Sequence, residues 1–182
     1  MKIIKMIFWI IVILVLALVA FMWYMGFFGS VKIVEQQMGP YTIAYKSFVG
    51  EYSQTGAAFN DVYTALKQAS IETTTGLGIY YDNPNVVAKD KLRSDCGSVI
   101  SPKDASKAKN IGKDIKVKTI PQSMSMVYEF PLKNTISLMF GPLKAYPAIM
   151  KYMEAKGYKP AMMYEVYDMK ANKILYVTEI KK

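Results

Sequence analysis

The sequence predicts an α+β domain in which a strand, helix, strand, strand unit occurs twice. The strands form an antiparallel sheet with two helices on one face, and one transmembrane helix precedes the domain. Three observations predict this. Met6 to Phe28 is a run of 23 residues without a charge. After it, two-residue apolar alternation gives way to helical spacing and returns to alternation, and this order appears twice. The last two extended runs flank Ala171-Asn172, a hairpin signal. With the run set aside, about 150 residues remain, enough for one two-layer core. The expected parts are a basic flank at 1–5, an anchor at 6–28, a connector at 29–40 and the domain at 41–182.

At helical rise the uncharged run covers the ~30 Å hydrocarbon core of a bilayer. It exceeds the ~7–15 apolar residues of a cleavable signal peptide, and Leu18 spoils the small-x-small pattern at Ala20, so an uncleaved signal anchor is expected. Trp9 near one end and Trp23 and Tyr24 near the other fit the two interfaces, where amphipathic rings are favoured. Lys2 and Lys5 flank the run on one side, whereas Lys32 on the other is offset by Glu35. That bias predicts a single-pass protein with a cytoplasmic amino terminus and the domain outside the cytoplasm.

In the domain, Tyr41, Ile43, Tyr45 and Val49 alternate as a strand that Gly50 breaks. Phe59, Val62, Tyr63 and Leu66 recur at helical spacing, predicting a helix over 55–68. Short strands follow at 77–81 and 92–100, with Asp82-Asn83-Pro84 as a turn after the first. Residues 101–113 are polar and weakly periodic, which predicts an exposed connection, with a further edge strand near 115–120. Met124, Met126, Tyr128 and Phe130 open the second unit as a strand. Its helix is expected at 143–156, stopped by Gly157 and Pro160, and its last strands at 161–168 and 173–180. The seam between two such units is a natural ligand groove.

The formal charge is +9, and because Lys2 and Lys5 precede the run, residues 31–182 carry +7. The lysines are dispersed, and the densest group, Lys103 to Lys118, includes Asp104 and Asp114, so this is a solvated surface with some affinity for membranes, and nucleic acid is not an expected partner. There is one cysteine, Cys96, and no histidine. The common serine and cysteine triads and most catalytic zinc sites are thereby excluded, and no disulfide can form within the chain. No glycine-rich phosphate loop or metal-ligand spacing occurs, so no cofactor, metal or catalytic residue is expected.

Several segments together resemble the GyrI-like family of small-molecule-binding domains, which also serve as effector-binding domains of multidrug-sensing regulators. They are GIYYDNPNVVAKDKLRSDCGSVI, from Gly78 to Ile100, and YEVYD, from Tyr164 to Asp168. AYKSFVGEYSQTG, from Ala44 to Gly56, and the spaced pattern from Tyr146-Pro147-Ala148 to Tyr164-Glu165-Val166-Tyr167 are similar to the membrane-anchored branch that includes the testis-expressed reticulophagy receptor. The resemblance implies a pseudo-symmetric pair of strand-helix-strand-strand units. It carries no autophagy role, since the receptor's tail motif is absent from these 182 residues, and no regulator role, since they contain no helix-turn-helix.

Glu165 is the first candidate for chemistry. Met163 and Tyr167 alternate with it on one strand face, and a carboxylate among apolar and aromatic groups attracts a lipophilic cation through its charge and the ring faces. The resemblance implies the same, because related multidrug sensors place an acid of the matching strand at the floor of the pocket. Tyr45, Tyr80 and Tyr128 are further candidates to line the groove, with Tyr81 beside them. Met124, Met126, Met162 and Met163 are either an adaptable wall or plain core. The expected function is a non-catalytic, membrane-anchored module for a hydrophobic small molecule, cationic or aromatic. Two alternatives stand beside it: a hydrolase of reactive small molecules built on Glu165 and Glu179, and a scaffold whose basic face docks protein or lipid.

Overall fold

A computed structural model describes residues 2–159 and 161–181. Helix α1, Lys2–Tyr24, contains most of the uncharged run and buries none of its residues against the rest of the chain. Strands β1 (Ile33–Met38) and β2 (Tyr41–Val49) follow, then α2 (Gly56–Gln68), β3 (Thr75–Tyr80) and β4 (Arg93–Val99). A short helix α3 (Ala105–Lys109) and strand β5 (Lys116–Ile120) lead to the second unit: β6 (Ser123–Pro131), α4 (Ser137–Lys156), β7 (Met163–Asp168) and β8 (Lys173–Glu179). Both predicted units are present, as β2-α2-β3-β4 and β6-α4-β7-β8.

The eight strands form one sheet in the order β1-β6-β8-β7-β3-β4-β2-β5, antiparallel at every pairing. In each unit the first strand lies outermost, the last in the middle and the second at the centre of the sheet, so β3 and β7 meet at the seam. The strand that precedes each unit extends the other: β1 pairs with β6, and β5 pairs with β2. Six strand spacings separate β1 from β2, about 29 Å in a flat sheet. Gly39-Pro40, the two residues joining them, allow ~11 Å. The sheet therefore curls until its edges approach. Met38 of β1 and Ile120 of β5 share one cluster with Leu77, Ile79, Val127 and Val166 on the concave face.

The helices cover the other face. A transverse row through the ladder, Lys46, Cys96, Gly78, Glu165, Tyr176 and Tyr128, lies on that side. Helix α2 packs Val62 and Leu66 onto Ala44 and Ile100. Helix α4 buries a stripe at four-residue intervals, Ser137, Gly141, Ala145, Ile149 and Met153, against Tyr128, Phe130 and Tyr176. The footprint of α2 is on β2 and β4, and that of α4 is on β6 and β8. Strands β3 and β7 lie between the two.

Several expectations need correction. The segment 29–40 carries β1, whose central Glu35, Gln36 and Gln37 are exposed, as befits an edge strand. Residues 101–113 contain α3, which buries Ala108 against the α2 cluster. Tyr63 faces outward from α2. Helix α4 begins at Ser137, six residues before the expected start, and runs through Pro142 and Pro147. Each proline lacks the N–H of one helical bond, and such breaks cost about 3 kcal/mol or more unless packing compensates. Gly157 ends the helix with a φ of 68°, while Pro160 lies outside the described residues. The hairpin turn holds Asn172 at a φ of 52°, a left-handed conformation that asparagine tolerates.

Candidate functional site

Glu165 lies at mid-sheet on β7, opposite Gly78 of β3 and Tyr176 of β8, and is 5% exposed. Tyr146, reaching down from α4, donates to Glu165 Oε1 at 2.5 Å, and Tyr167 donates to Oε2 at 2.6 Å. The Tyr80 and Tyr167 hydroxyls are 2.9 Å apart. Phe59 of α2 meets the Tyr167 ring edge-on at 5.5 Å, Tyr52 meets Tyr80 at 4.9 Å, and Tyr146 meets Tyr176 at 5.8 Å. The gap between the helix footprints is thus roofed by rings around one acid.

Gly78 makes the crowding possible. A Cβ there would lie 2.9 Å from Phe59 Cζ and 3.0 Å from the Tyr80 hydroxyl. Gly141 of α4 serves the same end over β8, where a Cβ would fall 2.0 Å from the Tyr176 hydroxyl. That hydroxyl is buried and, among the described residues, has no hydrogen-bond partner, an uncommon and costly state for a polar atom.

Charge is the unusual feature. Among the described residues no salt bridge reaches Glu165. Burial pushes its carboxyl above the usual range, and the bonds from Tyr146 and Tyr167 offset this only in part. Burial and the nearby Glu165 charge together raise the phenols of Tyr80, Tyr146 and Tyr167 far above their ordinary values, so they remain donors. The arrangement is a buried acid with neutral donors on both oxygens and ring faces around it, and a desolvated cation would complete it.

The structure brings Glu165, Tyr167 and Tyr80 into one cluster. Met163 shares their face two residues from Glu165 and is half-buried. Tyr128 is also on this face but packs in the core beside Tyr176, with ring centroids 6.3 Å apart. Tyr45 is not brought to the site. Its register with Gly97, and through it with Leu77, turns it to the concave face, where Lys118 Nζ stands 4.4 Å from its ring. Tyr81 likewise bonds Asp95. Met126 is core, Met124 is exposed, and Met162 packs on the concave cluster. Glu165 and Glu179 do not form an acid pair: Glu165 pairs with Tyr176, so Glu179, three residues on, points to the opposite face, where Ser123 donates to it at 3.3 Å. Cys96 is buried, and burial pushes its thiol up to about 11, the inert state expected of a structural cysteine.

Sequence reasoning missed Tyr146, Phe59, Tyr52 and Tyr176 as parts of the site. Tyr146 carried a signal, as the aromatic residue of Tyr146-Pro147-Ala148. Two cavities, of about 470 and 420 Å³, lie elsewhere: one on the outer side of α4 at Met150, Glu154 and Tyr158, the other between α2 and α3 at Gln68 and Asn110.

The family model of the GyrI-like small molecule binding domain matches residues 30–181. Among curated relatives, the Testis-expressed protein 264 homolog of Mus musculus is 26% identical over 132 residues, 69% of this chain and 41% of that protein. Testis-expressed protein 264 of Homo sapiens is 25% identical over 155 residues, 79% of this chain and 48% of its own length. The chain therefore spans about half or less of the curated relatives it matches. Among solved structures, the EcmrR C-terminal domain superposes with a TM-score of 0.61 at 14% identity, covering 84% of this chain and 98% of that one, a likeness of fold.

Proposed function

The chain belongs to the GyrI-like small-molecule-binding domain family, and from that premise we propose that it is a membrane-anchored receptor for a lipophilic organic cation held against Glu165. One observation carries the reading: a carboxylate that is 5% exposed, bonded to phenols and joined to no lysine or arginine among the described residues. An ammonium or phosphonium with aromatic substituents would supply the missing charge, and the rings of Tyr80, Tyr146, Tyr167 and Phe59 would supply its walls.

Glu165 is 5% exposed beneath its rings, so entry would need the tyrosine roof to part. The piece best placed to move is α4, which carries Tyr146 and whose hydrogen-bond ladder is interrupted at Pro142 and Pro147. Anchoring would come from α1, a 23-residue helix of mean hydropathy 3.0 over its most apolar window. Lys2 and Lys5 argue for a cytoplasmic amino terminus, with the domain outside.

The test is titration of the full chain in lipid nanodiscs with tetraphenylphosphonium, read by calorimetry against empty nanodiscs. Saturable binding that Glu165→Gln weakens at least tenfold is the expected result. Partitioning identical to that of empty nanodiscs would remove the reading.

A further inference from the structure

Helix α4 is apolar on two sides. Its buried stripe faces the sheet. On the other side Ile136, Met139, Leu143, Pro147 and Met150 recur at intervals of three or four residues, and all are exposed, Met139 by 69% and Leu143 by 66%. Such spacing lines one flank of a helix, and a patch of this kind marks an interaction surface. The same stretch is basic: from Pro131 to Met153 it contains Lys133, Lys144 and Lys151 and no acid.

The position of the patch identifies its occupant. Directly beyond α1 the chain docks onto the start of α4. Lys133 donates to the Tyr24 carbonyl and lies 3.9 Å from the Tyr24 ring centroid. Lys144 donates to the carbonyls of Gly26 at 3.2 Å and Gly29 at 2.5 Å. Met25 is fully buried, and Phe27 meets Phe140 edge-on at 5.5 Å. The first turns of α4 are thus fastened to the point at which the span ends. Exposed Trp23, Tyr24 and Phe28 there have the character of an interfacial belt.

We propose that the outer flank of α4, centred on Met139 and Leu143, is a second membrane contact that rests in the interfacial layer of the bilayer crossed by α1. Apolar side chains enter the headgroup boundary, and exposed Lys151 meets anionic lipid, as in an interfacial amphipathic helix. The helix that roofs Glu165 would then also lie on the membrane, and a lipophilic cation concentrated in that layer would reach the site without crossing bulk water. This inference rests on the reading of α1 as a span.

The experiment uses the full chain in vesicles of phosphatidylcholine and phosphatidylglycerol. An environment-sensitive fluorophore is placed on Met139→Cys, Leu143→Cys, Ile10→Cys and Val86→Cys in turn. Val86 is 81% exposed and lies outside α4, and buried Cys96 will not compete for the label. Nitroxide-bearing lipid should quench positions 10, 139 and 143 severalfold more than position 86. Quenching at 10, with 139 and 143 no different from 86, would overturn this inference and leave the anchor standing. Loss of quenching at 10 as well would overturn both. Protection at 139 and 143 that varies with protein concentration, and not with lipid nitroxide, would assign the patch to a second copy of the chain.

Discussion

The sheet buries two carboxylates, one on each face, and they are kept in opposite ways. Asp95, on the concave face, is 7% exposed and has a resident cation: Lys118 Nζ is 2.5 Å from Oδ2, and the Tyr81 hydroxyl is 2.6 Å from the same oxygen. Lys118 also donates to Tyr81 at 2.9 Å, closing a triangle. Burial works against the charged form of Asp95, but the bonds from Lys118, Tyr81 and Ser47 outweigh it and hold the carboxyl below its ordinary range. Glu165, on the helix face, has two phenols and, among the described residues, no cation, and its carboxyl sits above its ordinary range. One acid is completed within the fold. The other has only neutral donors among the described residues, and the proposed cation site rests on that difference.

Neutralising each acid in turn should produce effects of opposite sign, and this is the largest contrast available. Asp95→Asn removes half of a largely buried pair and leaves Lys118 and Tyr81 short of an acceptor, which should cost about 2–3 kcal/mol at pH 7 in urea unfolding of the detergent-solubilised chain. Glu165→Gln removes a charge with no counter-ion and should stabilise by about 1 kcal/mol under the same conditions, at the expense of cation binding. Destabilisation by both variants would mean that Glu165 is as well satisfied as Asp95.

Their pH dependences should also be mirror images. The folded carboxyl of Glu165 lies above its unfolded value of about 4.3, so its favourable contribution is complete below that value and is lost as pH rises through the folded one. The advantage of Glu165→Gln should therefore grow from about pH 4 upward and then level off. Asp95 is depressed, so its contribution is present above about pH 3.9 and is lost as pH falls through the folded value. The deficit of Asp95→Asn should accordingly shrink in acid. Unfolding midpoints measured from pH 3 to pH 9 check both slopes.

Smaller effects sharpen the same contrast. Tyr146→Phe withdraws one of the two bonds that the Glu165 carboxylate accepts among the described residues and should destabilise the charged form by roughly 1–2 kcal/mol, more at pH 8 than at pH 5. Tyr81→Phe leaves Asp95 its lysine and should cost about 0.5–1 kcal/mol with little change over that range. Equal costs and equal slopes would erase the distinction between the two sites.

The strands were legible because each alternates against a core, and Glu165 was legible because Met163 and Tyr167 flank it on one face. What could not be read depended on distant partners. Strand β1 hides behind Glu35, Gln36 and Gln37, polar because they lie at a sheet edge, where Glu35 accepts from Tyr152 at 2.9 Å and Tyr158 at 3.1 Å. Gly141-Pro142 is locally a stop signal, yet Gly141 is required by the Tyr176 hydroxyl beneath it. Tyr45 and Tyr80 are alike in sequence, and only register sends one to the concave face and the other to the helix face. Tyr146 donates across 19 positions, a separation at which local pattern is silent.

The exchange of edge strands has a mechanical consequence. Because β1 is hydrogen-bonded to β6 and β5 to β2, each lobe is laced into its twin, and the two cannot swing apart like a clamshell without unzipping a whole ladder. Any opening above the helix face must come from rotation of rings or movement of α4, while the woven floor keeps its shape.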